Sequence, residues 1–335
     1  MDLKLLLKRG ALLTAANWPV VAIQFLAETT FQVLIAVPII GAAILVAVLL
    51  GGDLAELLQG SLREIFTTIA SALMSEPIAL VAFIAAFSVV LLGGSALMFL
   101  VKGGTVDVLL AAHQRAGPIE REPLTYASLH GASAFTLAGY IAGCRRLFRR
   151  YLGLGLALIA VYAISCGAYL AFVVYGYRAA GDRVLVIGWT LIAAFAAAFL
   201  IVWITVVNLL YLLLQLAMAI EDIPLLDACR AVWRFIRAEP RELAGVFIVV
   251  LGLVVAATFA SALAWSGVGL IAFVPLVGLA VFPLQLAALL LRGLVFEYLG
   301  LTALGAYVTL YCRYLAHRPA SGHACVSPSP MEHPA

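Results

Sequence analysis

The sequence predicts an all-α, polytopic membrane helix bundle of about six transmembrane helices, with amphipathic helices on its cytoplasmic side. Three observations carry this. Hydrophobic residues make up 65% of the 335 and charged ones 11%, against roughly 45–50% and about 25% in soluble domains. The apolar residues are gathered into stretches long enough to cross hydrocarbon, which takes about 20 residues of helix. The basic residues fall in alternate connections between those stretches.

The apolar stretches lie near 18–50, 77–101, 151–177, 184–212, 243–265 and 286–311. Segments 1–17, 102–150, 221–242 and 312–335 hold 3, 7, 4 and 2 Lys or Arg, which is sixteen of the twenty. The intervening connections hold only Arg63, Arg178 and Arg183, and Arg292 lies within a span. Positive charge is retained in the cytoplasm, so the alternation predicts an inner-membrane protein with both termini cytoplasmic. The opening "MDLKLLLKRGALLTAANWP" has only short apolar runs and no small-residue cleavage site, so it reads as a retained segment rather than a cleaved signal.

The first span carries the sequence's sharpest oddity. Glu28 stands in a run otherwise free of charge from Ala11 to Gly52. On a helix, Asn17, Gln24, Glu28 and Gln32 fall on one face, the others being apolar. That face is expected to point toward neighbouring helices or a wet cavity. The fourth span, 184–220, runs to about 55 Å at 1.5 Å per residue, so it tilts or projects from the bilayer. Asn208, Tyr211 and Gln215 share a face on it. Cys166 is alone in the third span and reads as core. In the last span, "QLAALLLRGLVFEYLG", Arg292 and Glu297 lie too far round the helix to pair with each other. An isolated charge at mid-membrane costs at least ~2.5 kcal/mol, which makes Glu28 with Arg292 the natural inter-helix pair. Between the last two spans, "GLIAFVPLVGLAVFP" reads as a re-entrant or folded-over segment broken at Pro275, Gly278 and Pro283, or as a loop packed on the bundle.

Between the fourth and fifth spans, "AIEDIPLLDACRAVWRFIRAEPREL" predicts a surface helix. Pro224 opens it and Pro240 ends it. Asp227, Arg230, Arg234 and Arg237 form a polar stripe; Leu225, Cys229, Trp233 and Ile236 form an apolar one suited to the headgroup region. "CRRLFRRY" (144–151) and "CRAVWRFI" (229–236) align without gaps. They suggest either a weak parallel repeat of 77–177 with 184–265, or convergent juxtamembrane composition. Arg145, Arg146, Arg149 and Arg150 join Arg230, Trp233, Arg234 and Arg237 in a basic belt suited to lipid headgroups or a partner protein. "GYIAG" has the close-packing spacing of small residues at Gly139 and Gly143.

The acidic residues after a long span, followed by "PLLDACRAVWRFIRAEP" leading into another span, resemble a broad group of poorly characterised six-span bacterial membrane proteins, similar to the membrane domain of glycerophosphodiester phosphodiesterases. Glu221, Asp222, Ala228, Trp233, Arg234 and Arg237 carry the likeness, with one residue more between Ala228 and Trp233 than in that group. The resemblance implies the six-span layout. It transfers no activity, because no phosphodiesterase catalytic domain follows.

Nothing catalytic is legible. GxxxxGK[ST], HExxH, GxSxG and an ordered GxGxxG are all missing, and the five cysteines have neither CxxC nor zinc spacing. We expect no enzyme, metal or cofactor and no nucleic-acid partner. The chain reads as one integral membrane domain over 1–318 with a disordered Pro/Ser-rich tail, 319–335. Two functions stay open. One is a transport-like or lipid-handling protein with a polar path built from Gln24, Glu28, Gln32, Asn208, Gln215, Arg292 and Glu297. The other is a scaffold or accessory subunit that engages lipid, a protein partner or a second copy of itself.

Overall fold

The computed structural model describes residues 3–50, 77–121, 123, 125–179, 183–272 and 275–317. Nine helices occupy the described residues: α1 (Leu3–Ala16), α2 (Trp18–Leu50), α3 (Pro77–Arg115), α4 (Tyr126–Gly131), α5 (Leu137–Ala179), α6 (Arg183–Ile220), α7 (Leu225–Ala238), α8 (Pro240–Ala272) and α9 (Pro275–Ala316). Six of them, α2, α3, α5, α6, α8 and α9, are long and apolar enough to cross a membrane. The chain is a multi-pass, all-α membrane protein.

Local chemistry sets the boundaries. α3, α8 and α9 each open on a proline (Pro77, Pro240, Pro275), where the missing N–H costs nothing. Pro19 stands in the first turn of α2 for the same reason. Thr125 and Ser128 close a capping box at the start of α4. Pro283 lies inside continuous α9 rather than breaking it, so "GLIAFVPLVGLAVFP" is divided between the end of α8 and the start of α9. The join itself, at 273–274, lies outside the described residues, as do the connection 51–76 and the tail 319–335. The two aligned octapeptides occupy different settings: 144–151 runs within uninterrupted α5, and 229–236 forms part of the separate helix α7.

Tight packing is concentrated at one end of the bundle, the end that carries the arginines. There α1 lies against α9, and the last turns of α6, from Leu213 to Ala219, are buried. The overlong fourth span therefore projects into this basic-end core. Farther along, the spans present exposed apolar rows such as Val81, Phe195, Ile201 and Leu291, which in a membrane protein face lipid. Cys166, expected in the core, is exposed on α5 among them.

The N-terminal helix is the keystone of the basic end. α1 crosses α9 so closely that a Cβ on Gly10 would run into the Thr302 carbonyl and the Ala306 backbone, and Gly305 faces Gly10 in return. Such contact needs small residues on both helices. Arg9, read above as a topogenic charge, is buried: its Nη1 donates to Glu120 Oε2 at 2.7 Å and to the Gly117 carbonyl at 2.6 Å, and its Nη2 to the His113 carbonyl at 3.1 Å. Lys8 adds a bond to the Glu120 carbonyl at 2.7 Å. At the α1–α2 junction Asn17 is fully buried. Its Oδ1 accepts from the Ala134 and Phe135 N–H groups and its Nδ2 donates to the Leu13 and Ala132 carbonyls. Asn17 thus pins the α4–α5 loop and takes no part in the polar stripe of α2. Gly143 also packs within the chain, its Cα against Asp107 of α3.

Arg9→Met is expected to lower unfolding free energy by about 3–5 kcal/mol, because it strands the Glu120 carboxylate. Adding Glu120→Leu should recover most of that loss. Denaturant titration of the purified protein in detergent measures both.

Candidate functional site

The spacing of four along α2 places Gln24, Glu28 and Gln32 on one face, and that face meets two other helices. Gln24 Oε1 accepts a hydrogen bond from Thr105 Oγ1 of α3 at 3.0 Å. One turn on, Glu28 receives Gln32 Nε2 at 3.4 Å and lines the same cavity as Glu297 of α9. Lys102 of α3 lies within electrostatic reach of both carboxyl groups. Its Nζ stands 5.3 Å from the centre of the Tyr211 ring of α6, close enough for a cation–π attraction. Four helices therefore converge on one charged cluster.

A cavity of about 470 Å³ opens beside it between α2 and α9. Its polar wall is Glu28, Thr29, Gln32, Arg292 and Glu297, and Leu289 and Leu290 form its apolar side. The volume is within the range of small-ligand sites. The two helices cross where the Phe25 ring fills the space beside Gly293. On the other side of that crossing is an apolar groove of about 540 Å³ that includes Trp18, Val21, Tyr298 and Leu299.

The expected pairing of Glu28 with Arg292 is not formed. Arg292 has no ion pair among the described residues, and its guanidinium lies 5.7 Å from the Phe296 ring. The reason is local packing. Glu28 and Arg292 border the same cavity, but Phe25 occupies the crossing at Gly293 and the guanidinium turns along α9 onto Phe296. Lys102 supplies the positive charge instead. It escapes a hydropathy reading because the apolar window ends at residue 101, although "VKGGTVDVLL" continues the same helix.

Two other expected path residues stand apart. Asn208 is exposed and accepts a hydrogen bond from the Tyr162 hydroxyl of α5. Gln215 is buried at the basic end, and its side-chain nitrogen and the Tyr211 hydroxyl have no partner there. Asn208, Tyr211 and Gln215 do not form one wet face.

The basic belt is partly neutralised within the chain. Arg146 pairs with Asp107 and Arg150 with Asp222, both at 2.6 Å, and Arg230 pairs with Asp227 at 3.0 Å. Arg145, Arg149, Arg234 and Arg237 are exposed. α7 departs from the expected geometry. It buries Ala228, Ala231, Val232 and Phe235 against the bundle, with the Phe235 ring centred 5.0 Å from Tyr311 and 5.2 Å from Tyr314. Trp233 points outward, 54% exposed, with the Arg237 guanidinium 4.7 Å from its ring. The i, i+3, i+4, i+7 spacing of the buried four was visible in the sequence but weaker than the Trp-containing stripe. No protein-family model, curated protein or solved structure matches the chain.

Lys102→Met leaves two carboxyl groups facing each other without a cation and is expected to cost about 3 kcal/mol of stability. Arg292→Met, at the open side of the cavity, should change it by less than about 1 kcal/mol. Thermal unfolding of the two variants side by side in detergent checks the order.

Proposed function

We propose that the protein handles a membrane amphiphile, binding its polar headgroup in the crevice between the first and last spans and passing it along a transport-like route. The observation that carries this is a cavity of about 470 Å³ lined by three ionisable side chains, Glu28, Arg292 and Glu297, within segments that otherwise face lipid. Ionisable groups at such depth are costly and mark pathways or binding sites. We take the basic end as cytoplasmic, in the inner membrane with both termini inside, on the strength of the charge alternation. The exposed arginines Arg145, Arg149, Arg234 and Arg237 then lie at the anionic leaflet surface, each contributing about 1 kcal/mol of attraction. No catalytic role is proposed.

A second reading, a scaffold or accessory subunit, is favoured by one observation. Leu226 and Trp233 of α7 are 75% and 54% exposed beside the exposed Arg234 and Arg237, which suits a partner protein or a headgroup layer. In that reading the likeness of 221–265 to the membrane domains of the six-span group reflects a shared docking helix.

Thr29→Trp fills the crevice while leaving every charged residue unsubstituted. Native mass spectrometry of the wild-type protein purified in mild detergent should show retained phospholipid, and Thr29→Trp should lose most of it. Equal retention by both would reject the crevice as the binding site and leave the scaffold reading standing.

A further inference from the structure

The crevice orders its charges along the bilayer normal. α9 runs toward the basic end, so Glu297 lies nearer that end than Arg292 does. Arg292 stands about 7.5 Å farther into the spans, by the rise of five residues. Leu289 and Leu290, 50% and 41% exposed, continue beyond it. From the basic end inward the α9 wall is thus anionic, cationic and apolar, with Glu28 facing it from α2. A phospholipid in the adjoining leaflet whose headgroup ends in an amine presents the complementary order: ammonium, phosphate, acyl chain.

We infer that the occupant of the crevice is a phospholipid with a primary ammonium headgroup, its nitrogen held between Glu28 and Glu297 and its phosphate at Arg292. This rests on the lipid-handling reading proposed above and names its substrate class. Charge balance supports it. Two carboxylates face one internal cation, Lys102, which leaves one negative charge for an ammonium. Arg292 has no ion pair among the described residues and leaves one positive charge for a phosphodiester. A zwitterionic headgroup closes both, whereas an anionic lipid without an amine leaves the carboxylates uncompensated.

Donor geometry narrows the class further. Glu28 and Glu297 line the same cavity from facing helices, and ionised carboxylates only accept hydrogen bonds, so together they call for a donor. An ammonium entering there brings three N–H donors, for the two carboxylates and the Gln32 side-chain oxygen. A quaternary ammonium has no N–H and binds best in an aromatic cage. The rings in this cavity are Phe25 and Phe296; Phe25 packs on Gly293 and Phe296 is covered by Arg292.

The test uses the full-length chain in nanodiscs of equal parts phosphatidylethanolamine, phosphatidylcholine and phosphatidylglycerol, with lipids released from the isolated protein counted by mass spectrometry. The wild type is expected to retain phosphatidylethanolamine about tenfold over the other two, the discrimination of one or two charge-assisted hydrogen bonds. Glu28→Gln with Glu297→Gln should remove the preference while lipid is still retained, and Arg292→Met should lower retention of all three. Should the double variant fail to fold, stepwise N-methylation of the headgroup offered to wild type should weaken retention with each methyl. Excess soluble phosphoethanolamine should not displace the lipid. Retention without headgroup preference, or a preference for choline or glycerol headgroups, overturns the inference and leaves lipid handling intact. Displacement by phosphoethanolamine overturns the lipid as source, and absence of retained lipid in wild type overturns both.

Discussion

Glu28 sits in a membrane-spanning helix on the condition that other helices bring it polar company and a cation. Glu297 and Lys102 do so from α9 and α3, and Tyr211 of α6 presents its ring to the lysine. Removing any one of these groups leaves another facing hydrocarbon, where the cost is several kcal/mol. The cluster therefore constrains the relative depth of four helices at once. A one-turn slip of α2 would move Glu28 about 5.4 Å from its partners.

A cluster of this kind cannot assemble four helices unaided, because helices in lipid gain little from apolar contact with one another. The basic end supplies the organisation. There the chain builds an ordinary packed core from α1, α4, α7 and the ends of the long helices, fastened by the Arg9–Glu120 pair, the Asn17 bonds and the Gly10–Gly305 crossing. α2 follows α1 after a single residue, so seating α1 on α9 also delivers α2 to α9. The crevice is a consequence: two helices fixed together at one end cross at Phe25 and Gly293 and diverge past it.

The six spans, their order and the concentration of arginine at one end were legible because hydropathy and charge need no partner to be read. The face of α2 was legible for the same reason, its period being intrinsic to one helix. What escaped was every feature that depends on which helices meet. Arg9 and Glu120 are separated by 111 residues and each looks like a solvated loop charge until α1 lies along α3. Lys102 was placed in a loop because a hydropathy window cannot tell the end of a span from the end of a helix. The docking face of α7 is built from alanines and one phenylalanine, whose signal was smaller than that of the exposed tryptophan. Pro283 was read as a breaker, although a proline near the start of a long membrane helix is accommodated where neighbouring groups satisfy the freed carbonyl.

Arg292 then has a particular position. The other charges near the crevice meet a partner inside the chain, whereas its guanidinium rests on a phenyl ring at the open side. A cation–π contact at such a site supplies about 0.5–2 kcal/mol, less than the ~2.5–3.5 kcal/mol that an arginine at mid-span costs. The difference has to come from outside the protein, as water drawn into the cavity or as an anion held there. Arg292 is exposed among the leucines of the span, and the anion that the proposed lipid occupant would bring to it is its phosphate.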